Sequence, residues 1–146
     1  MKNIVIFDLD GTLADIRHRV HHVSSSVKAE RDWKSFYQDI DKDVPNSDVC
    51  QLCRTLRLNY EIWILTGRSE EYRSYTENWL FWNNIHYDEL RMRSSDDMRK
   101  DIECKFDMLS EEEQKGVLVI FEDRTQVVEM WRQRNITVCQ VDNGEF

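Results

Sequence analysis

The chain has 146 residues, 40% of them hydrophobic, five tryptophans and a formal net charge of −8. That length suits one domain with a real buried core, and no apolar run approaches the roughly 18 residues needed to span a bilayer. The acidic balance excludes a sequence-independent nucleic-acid coat protein, which would be basic, but not an enzyme that grips only a strand end. The chain runs directly into its first strand with no secretory leader, so a cytosolic protein is expected. Its four cysteines, Cys50, Cys53, Cys104 and Cys139, fit that compartment as reduced thiols. Cys50 and Cys53 form a CxxC with no second pair at zinc-finger spacing, and read as buried thiols on one face of a helix.

The first strand covers Lys2 to Asp8 and ends in Asp8-Leu9-Asp10-Gly11-Thr12. Residues i and i+2 of a strand point the same way, so Asp8 and Asp10 aim together at its carboxyl end. Paired acids repel unless a cation or shared proton compensates. Residues 13–46 lack a continuous pattern and are basic at first, with Arg17, His18, Arg19, His21, His22, Lys28 and Arg31. Adjacent histidines rarely share one ion, so His21 and His22 read as flexible or substrate-facing. Trp33, Phe36, Tyr37 and Ile40 recur at helical spacing and predict a short amphipathic helix.

Pro45-Asn46-Ser47 stops that helix and caps the next, which reaches Leu58 with Val49, Leu52, Cys53 and Leu56 inward. A second strand, Glu61 to Thr66, ends in Gly67-Arg68. Ser69 caps a helix with Glu70 and Glu71 in its first turn, where negative charge suits the helix dipole. Tyr72, Tyr75, Trp79 and Trp82 form its predicted buried face. A short third strand spans Glu89 to Met92. Asp97 opens a further helix with Met98, Ile102, Phe106 and Leu109 inward. Val117 to Phe121 is continuously apolar, hence a central strand, and ends in Glu122-Asp123. A helix with Val127, Val128 and Trp131 and a last strand, Thr137 to Val141, complete the chain. Strands alternating with helices predict an α/β fold with a parallel sheet, read as a single domain over residues 1–146. Right-handed crossovers gather the loaded strand ends at one edge, where ligands bind at the switch point.

The Asp8–Thr12 motif after a strand resembles the haloacid dehalogenase-type phosphatases. Thr66 ending the second strand, Lys100 opening a helix and Glu122-Asp123 ending the fourth strand match that family in order. Asp123 to Arg132, followed by Gln140-Val141 and Gly144-Glu145-Phe146, is similar to the C-terminal end of the bacteriophage polynucleotide kinase/phosphatases. Thr66-Gly67-Arg68 and Asp97-Met98-Arg99-Lys100-Asp101 are similar to the phosphatase motifs of the same group. No GxxxxGK[ST] phosphate loop occurs, so the resemblance implies a 3′-phosphatase module without the kinase. It implies a three-layer HAD-like Rossmannoid fold with a five-stranded parallel sheet and a small cap insertion at about 13–46.

A phosphomonoesterase needs a nucleophile, a proton for the leaving oxygen and positive charge for the non-bridging oxygens. The resemblance implies that Asp8 attacks phosphorus and that Asp10 protonates the sugar oxygen, then takes a proton from water. It implies Mg²⁺ between Asp8, the backbone carbonyl of Asp10 and Asp123. Glu122 stands where the family carries another aspartate and is read with Asp8, Asp10 and Asp123 as a metal-site residue. Thr66 and Lys100 are expected to hold phosphoryl oxygens, with Lys105 a rival for the lysine's place. Arg68 and Arg19, with Arg17 as its rival, are expected to contact substrate phosphate, and Asp97 to orient Lys100 or Arg68. The implied substrate is a 3′-phosphorylated DNA or RNA end in repair, in the host cytoplasm if the chain is phage-encoded. A small-molecule nucleotidase is the alternative, favoured by the acidic charge; a non-catalytic module is opposed by the intact motifs. Trp33 and Tyr37 are better placed to stack on a nucleobase, whereas Trp79 and Trp82 read as core.

Overall fold

The computed structural model describes residues 1–144; Glu145 and Phe146, quoted above for the C-terminal resemblance, lie outside the described residues. Five strands form a parallel sheet: β1 (Ile4–Phe7), β4 (Glu61–Ser69), β5 (Glu89–Arg93), β6 (Val117–Glu122) and β7 (Val138–Gln140), in the order β5-β4-β1-β6-β7. Two very short strands, β2 (Ala14–Asp15) and β3 (Val44–Pro45), pair antiparallel and close the base of the segment between them. That segment holds helix α1 (Trp33–Gln38) and several single 3₁₀ turns.

Alternation along the strands divides the interior into two cores. Val5, Phe7, Ile62 and Ile64 face one side, where they meet Cys50 and Cys53 of α2 (Ser47–Leu56) and Trp79 and Leu80 of α3 (Arg73–Trp82). Ile4, Ile6, Trp63 and Leu65 face the other, against Val127, Val128 and Trp131 of α6 (Thr125–Arg132). Helix α4 (Asp101–Asp107) packs beside α6 on that side, and α5 (Glu111–Gly116) leads into β6. The result is three layers with a strand buried on both faces at the centre. Among the described residues, no helix is long and apolar enough to cross a membrane.

Several predicted elements shift. The helix expected from Asp97 starts only at Asp101, because Ser94 to Lys100 is irregular chain held by Arg93, which donates to the carbonyls of Gly67, Asp97 and Arg99. Its buried residues are Cys104 and Lys105, and Ile102 and Leu109 pack on the core as expected. Of the other expected inward residues, Met98 is exposed and Phe106 sits at the surface under the Arg134 guanidinium. The extra helix α5 is opened by a capping box: Ser110 accepts from the Glu113 amide, and the Glu113 side chain returns to the Ser110 amide. On α3 the buried residues are Thr76, Trp79 and Leu80, whereas Tyr75 and Trp82 face solvent. Trp79 and Trp82 lie three residues apart, but the helix is turned so that Leu80 takes the inward place beside Trp79.

Candidate active site

Strand register brings the carboxyl ends together. Phe7 pairs with Ile64 of β4 and Phe121 of β6, and the Asp8 amide donates to the Phe121 carbonyl at 2.9 Å. Asp8 and Glu122 consequently emerge side by side, with Thr66 just beyond on β4. The order of connections reverses at β1, whose neighbours β4 and β6 lead to helices on opposite faces, so this edge is the sheet's switch point.

Asp8 is buried. Lys105 Nζ lies 2.7 Å from its Oδ1 and 2.8 Å from Glu122 Oε2. Glu122 uses its other oxygen to accept from the amides of Asp123 and Arg124, both at 3.1 Å. The Thr12 hydroxyl reaches Asp8 Oδ2 and Asp123 Oδ1, at 3.4 Å each. Carboxylate oxygens of Asp8, Glu122 and Asp123 all lie within 4.8 Å of one another. Burial, then the charge of Glu122, raises the Asp8 carboxyl well above its ordinary range. The same two causes push Asp123 up to about 7. Lys105 is desolvated as well, but Asp101, Asp8 and Glu122 keep it firmly protonated.

Three crowded carboxylates offering only oxygen suit a hard divalent cation such as Mg²⁺. The backbone is shaped around one of them. A Cβ on Gly11, whose φ is +83°, or on Gly144 would collide with Asp123 Oδ2, so both turns leave that carboxylate its room. Beside Asp123 opens a cavity of ≈ 530 Å³, bordered among others by Gly11, Arg17, Asn46 and Gly144.

Asp10 does not join that cluster. Its side chain turns to two buried arginines: Arg68 Nη2 lies 2.6 Å and Arg19 Nη2 2.7 Å from Oδ1. Burial alone would raise the Asp10 carboxyl, but Arg68 and Arg19 together overcome it and hold it well below its usual range. Both guanidiniums are fixed from behind. Asp43, buried at the base of the insertion, takes Arg19 at 2.7 Å on each oxygen and Arg68 at 3.1 Å. His18 reaches the same carboxylate at 2.7 Å, the Phe36 ring lies under the Arg19 guanidinium, and Thr76 accepts from Arg68.

The structure thus gathers Asp8, Asp10, Arg19, Thr66, Arg68, Glu122 and Asp123, and leaves out Lys100 and Asp97. Lys100 is the exposed N-cap of α4, and the late start of that helix puts Lys105 in the place expected for it. Asp97 binds Arg99 at the surface; Asp101 instead lies 3.7 Å from Lys105 and 3.3 Å from Arg124. Arg17 points outward and pairs with Asp15. Thr66 is buried, with its hydroxyl accepting from the Arg68 amide at 3.1 Å. Asp101 stands at the i, i+4 spacing from Lys105 on one helix face, a pattern that could have flagged it. Asp43 has no such signal, since nothing local distinguishes it from Asp39 and Asp41.

A family model described as the polynucleotide kinase PNKP phosphatase domain matches residues 2–146. A chain in the solved Pnkp1/Rnl/Hen1 complex is 33% identical, with a TM-score of 0.80 over 99% of this chain. The present chain spans 47% of that longer one. At 17% identity, a haloacid dehalogenase-like hydrolase from Streptococcus pneumoniae shares the fold, with a TM-score of 0.63 over 95% of this chain and 84% of its own. So does a family enzyme from Bacteroides thetaiotaomicron solved with magnesium and inorganic phosphate, 13% identical, with a TM-score of 0.60 over 100% and 97% of the two chains. With this sheet, this DxDGT strand end and this family match, the chain belongs to the PNKP phosphatase-domain family and is a haloacid dehalogenase-type phosphatase.

Proposed function

We propose that the chain is a Mg²⁺-dependent phosphomonoesterase that removes 3′-phosphates from polynucleotide ends through an aspartyl-phosphate on Asp8. The observation that carries this reading is the division of labour between two acids one residue apart. Asp8 lies against Lys105 beside an oxygen-only cluster, and Asp10 lies in the grip of two guanidiniums. The 33% identity to a chain of an assembly described as an RNA repair complex supports a nucleic-acid substrate.

When bound among Asp8, Asp123 and the Asp10 carbonyl, Mg²⁺ would hold the carboxylates ionised and offset charge on the phosphoryl oxygens. Glu122, whose two oxygens are already engaged by Lys105 and two amides, orients the lysine. Lys105 would place a positive charge next to the attacking oxygen and the transferring group. Asp8 attacks phosphorus and the bond to the 3′-oxygen breaks. Incoming phosphate competes for Arg19 and Arg68, which frees the Asp10 carboxyl to take up a proton and deliver it to the leaving oxygen. Asp10 then accepts a proton from the water that hydrolyses the acyl phosphate, and Asp8 is regenerated.

The test is a substrate panel with and without Mg²⁺, using the Asp8→Asn protein as the control. A 3′-phosphorylated oligonucleotide should be cleaved faster than its 5′-phosphorylated counterpart, and only with Mg²⁺. One observation favours a second reading, a nucleotidase: the cavity beside Asp123 is of the size that holds a single small ligand. A 5′-mononucleotide cleaved faster than any 3′-phosphate would establish that instead.

A further inference from the structure

The end of β4 is irregular where it passes the site. Met92 of β5 pairs with Thr66 and the next residue, Arg93, pairs with Ser69, so Gly67 and Arg68 have no opposite numbers across this ladder. A bulge of this kind re-aims the side chains it carries. Here it delivers Arg68, whose buried guanidinium reaches Asp10 at 2.6 Å, Asp43 at 3.1 Å and Thr76 at 3.2 Å. The Arg68 amide is used as well, donating to the Thr66 hydroxyl.

The bulge rests on Arg93. Its Nε donates to the Gly67 carbonyl at 3.0 Å, and its Nη2 lies 3.5 Å from Asp101 Oδ1. The remaining nitrogen, Nη1, donates to the carbonyls of Asp97 and Arg99. One planar fork thus joins the bulge to the chain that opens α4. The fit leaves no slack, since a Cβ on Gly67 would stand 2.3 Å from Asp101 Oδ1. The two sides of the fork do not depend on it equally. Asp101 is also held by Arg124 at 3.3 Å, and Lys105 is held by Asp8 and Glu122. Loss of the fork therefore falls chiefly on the bulge and, through it, on Arg68. We propose that Arg93 is a positioning residue: it fixes the Gly67-Arg68 bulge so that Arg68 meets Asp10, and so aims the carboxyl that protonates the leaving oxygen.

This inference rests on the reading of Asp10 as the acid, and the experiment separates the two. Rates with Mg²⁺ are compared for a 3′-phosphorylated strand, whose sugar oxygen needs a proton to leave, and for p-nitrophenyl phosphate, whose phenolate leaves without one. Any unfolded fraction, and any loss at Lys105 or in phosphoryl binding, affects both esters and cancels in the ratio of their kcat/KM values. A displacement of about 1 Å can forfeit much of what a general acid contributes, so the ratio of strand to aryl ester should fall about 10-fold in Arg93→Ala. Gly67→Ala, which pushes the bulge off Asp101 without removing a donor, should lower it similarly. Arg93→Lys keeps the charge but offers one ammonium where the fork used three nitrogens, and should stay within about 3-fold of Arg93→Ala. Arg99→Ala, which releases only surface pairs with Asp97 and Asp107, should leave the ratio unchanged. Asp10→Asn sets the full loss. An unchanged ratio in Asp10→Asn overturns the acid assignment and the role of Arg93 with it. A ratio that falls in Asp10→Asn but holds in both Arg93→Ala and Gly67→Ala overturns the positioning alone. Full recovery in Arg93→Lys overturns the fork as its means. A parent that prefers a 5′-phosphorylated nucleotide overturns the 3′-end reading instead, and the ratio is then read with that nucleotide, whose sugar oxygen also needs a proton.

Discussion

Lys105 is the residue on which the acidic centre depends in the absence of a cation, because among the described residues it alone bonds Asp8 and Glu122 at once. Its replacement removes the positive charge nearest the attacking oxygen. Lys105→Ala should lower kcat at least ~100-fold, the scale seen when one charge-stabilising donor is lost, whereas Lys100→Ala should stay within about 2-fold of the parent. Steady-state hydrolysis of a 3′-phosphorylated strand, with circular dichroism to confirm folding, decides between them. The sequence motif pointed to Lys100, with Lys105 only as its rival, whereas the structure sets Lys105 against Asp8. The choice depends on where the helix begins, and that is set by Arg93 binding three carbonyls from β5, a tertiary contact with no local signature. Asp43 shows the same limit more sharply. It is one of several aspartates in an irregular stretch, and only the folded chain reveals that it holds both arginines behind Asp10. By contrast, Asp8, Asp10, Glu122 and Asp123 were legible because each sits at the carboxyl end of an apolar run that identifies a strand.

At the scale of elements, β1, β4 and β6 were the most readable parts, each a short apolar run ending in a polar turn that parallel pairing brings to one edge. In contrast, β5, Glu89-Leu90-Arg91-Met92-Arg93, carries a weak signal, and the two-residue β2 and β3 carry none. The amphipathic helices were also less readable, and α3 shows why. Four large aromatic residues lie on it, more than one face can bury, and helical spacing alone does not say which are kept. The structure buries Trp79, whose indole donates to the Asp43 carbonyl at 2.9 Å, and leaves Trp82 78% exposed. Trp79→Ala should thus cost about 3–5 kcal/mol in urea denaturation and disturb the Asp43 backbone as well. Trp82→Ala should stay within ~0.5 kcal/mol, the range of surface substitutions.

At the scale of the whole molecule, the site sets how stability varies with pH. Asp123 is raised to about 7 and Asp8 is raised above its ordinary range, so both bind protons more tightly folded than unfolded. Their contribution is fully present below pH about 4 and is lost as pH rises through about 7. The metal-free protein should therefore melt several degrees lower at pH 8 than at pH 5. A divalent cation that binds the ionised carboxylates should raise the melting point most at pH 8 and least at pH 5. Differential scanning calorimetry with chelator and with Mg²⁺ tests both signs; equal stabilisation at the two pH values would contradict the proposed coupling of the cation to these acids.

The two-residue clasp of Ala14–Asp15 with Val44–Pro45 has a consequence for how such a protein can diversify. It fastens both ends of the intervening segment at the sheet's edge, so that residues 16–43 form a closed loop on a finished scaffold. The entropy of closing a loop grows only slowly with its length. Its middle can lengthen, shorten or change composition at small thermodynamic penalty, and the sheet beneath keeps its register. Arg19 and Asp43, near the two feet of the loop, are tied into the chemistry, with His18 and Phe36 bracing them. The segment is in effect an exchangeable cassette: one scaffold can be refitted for a different phosphoester by replacing its exposed residues while buried Val23, Phe36 and Ile40 keep it seated and the hydrolytic machinery stays as it is.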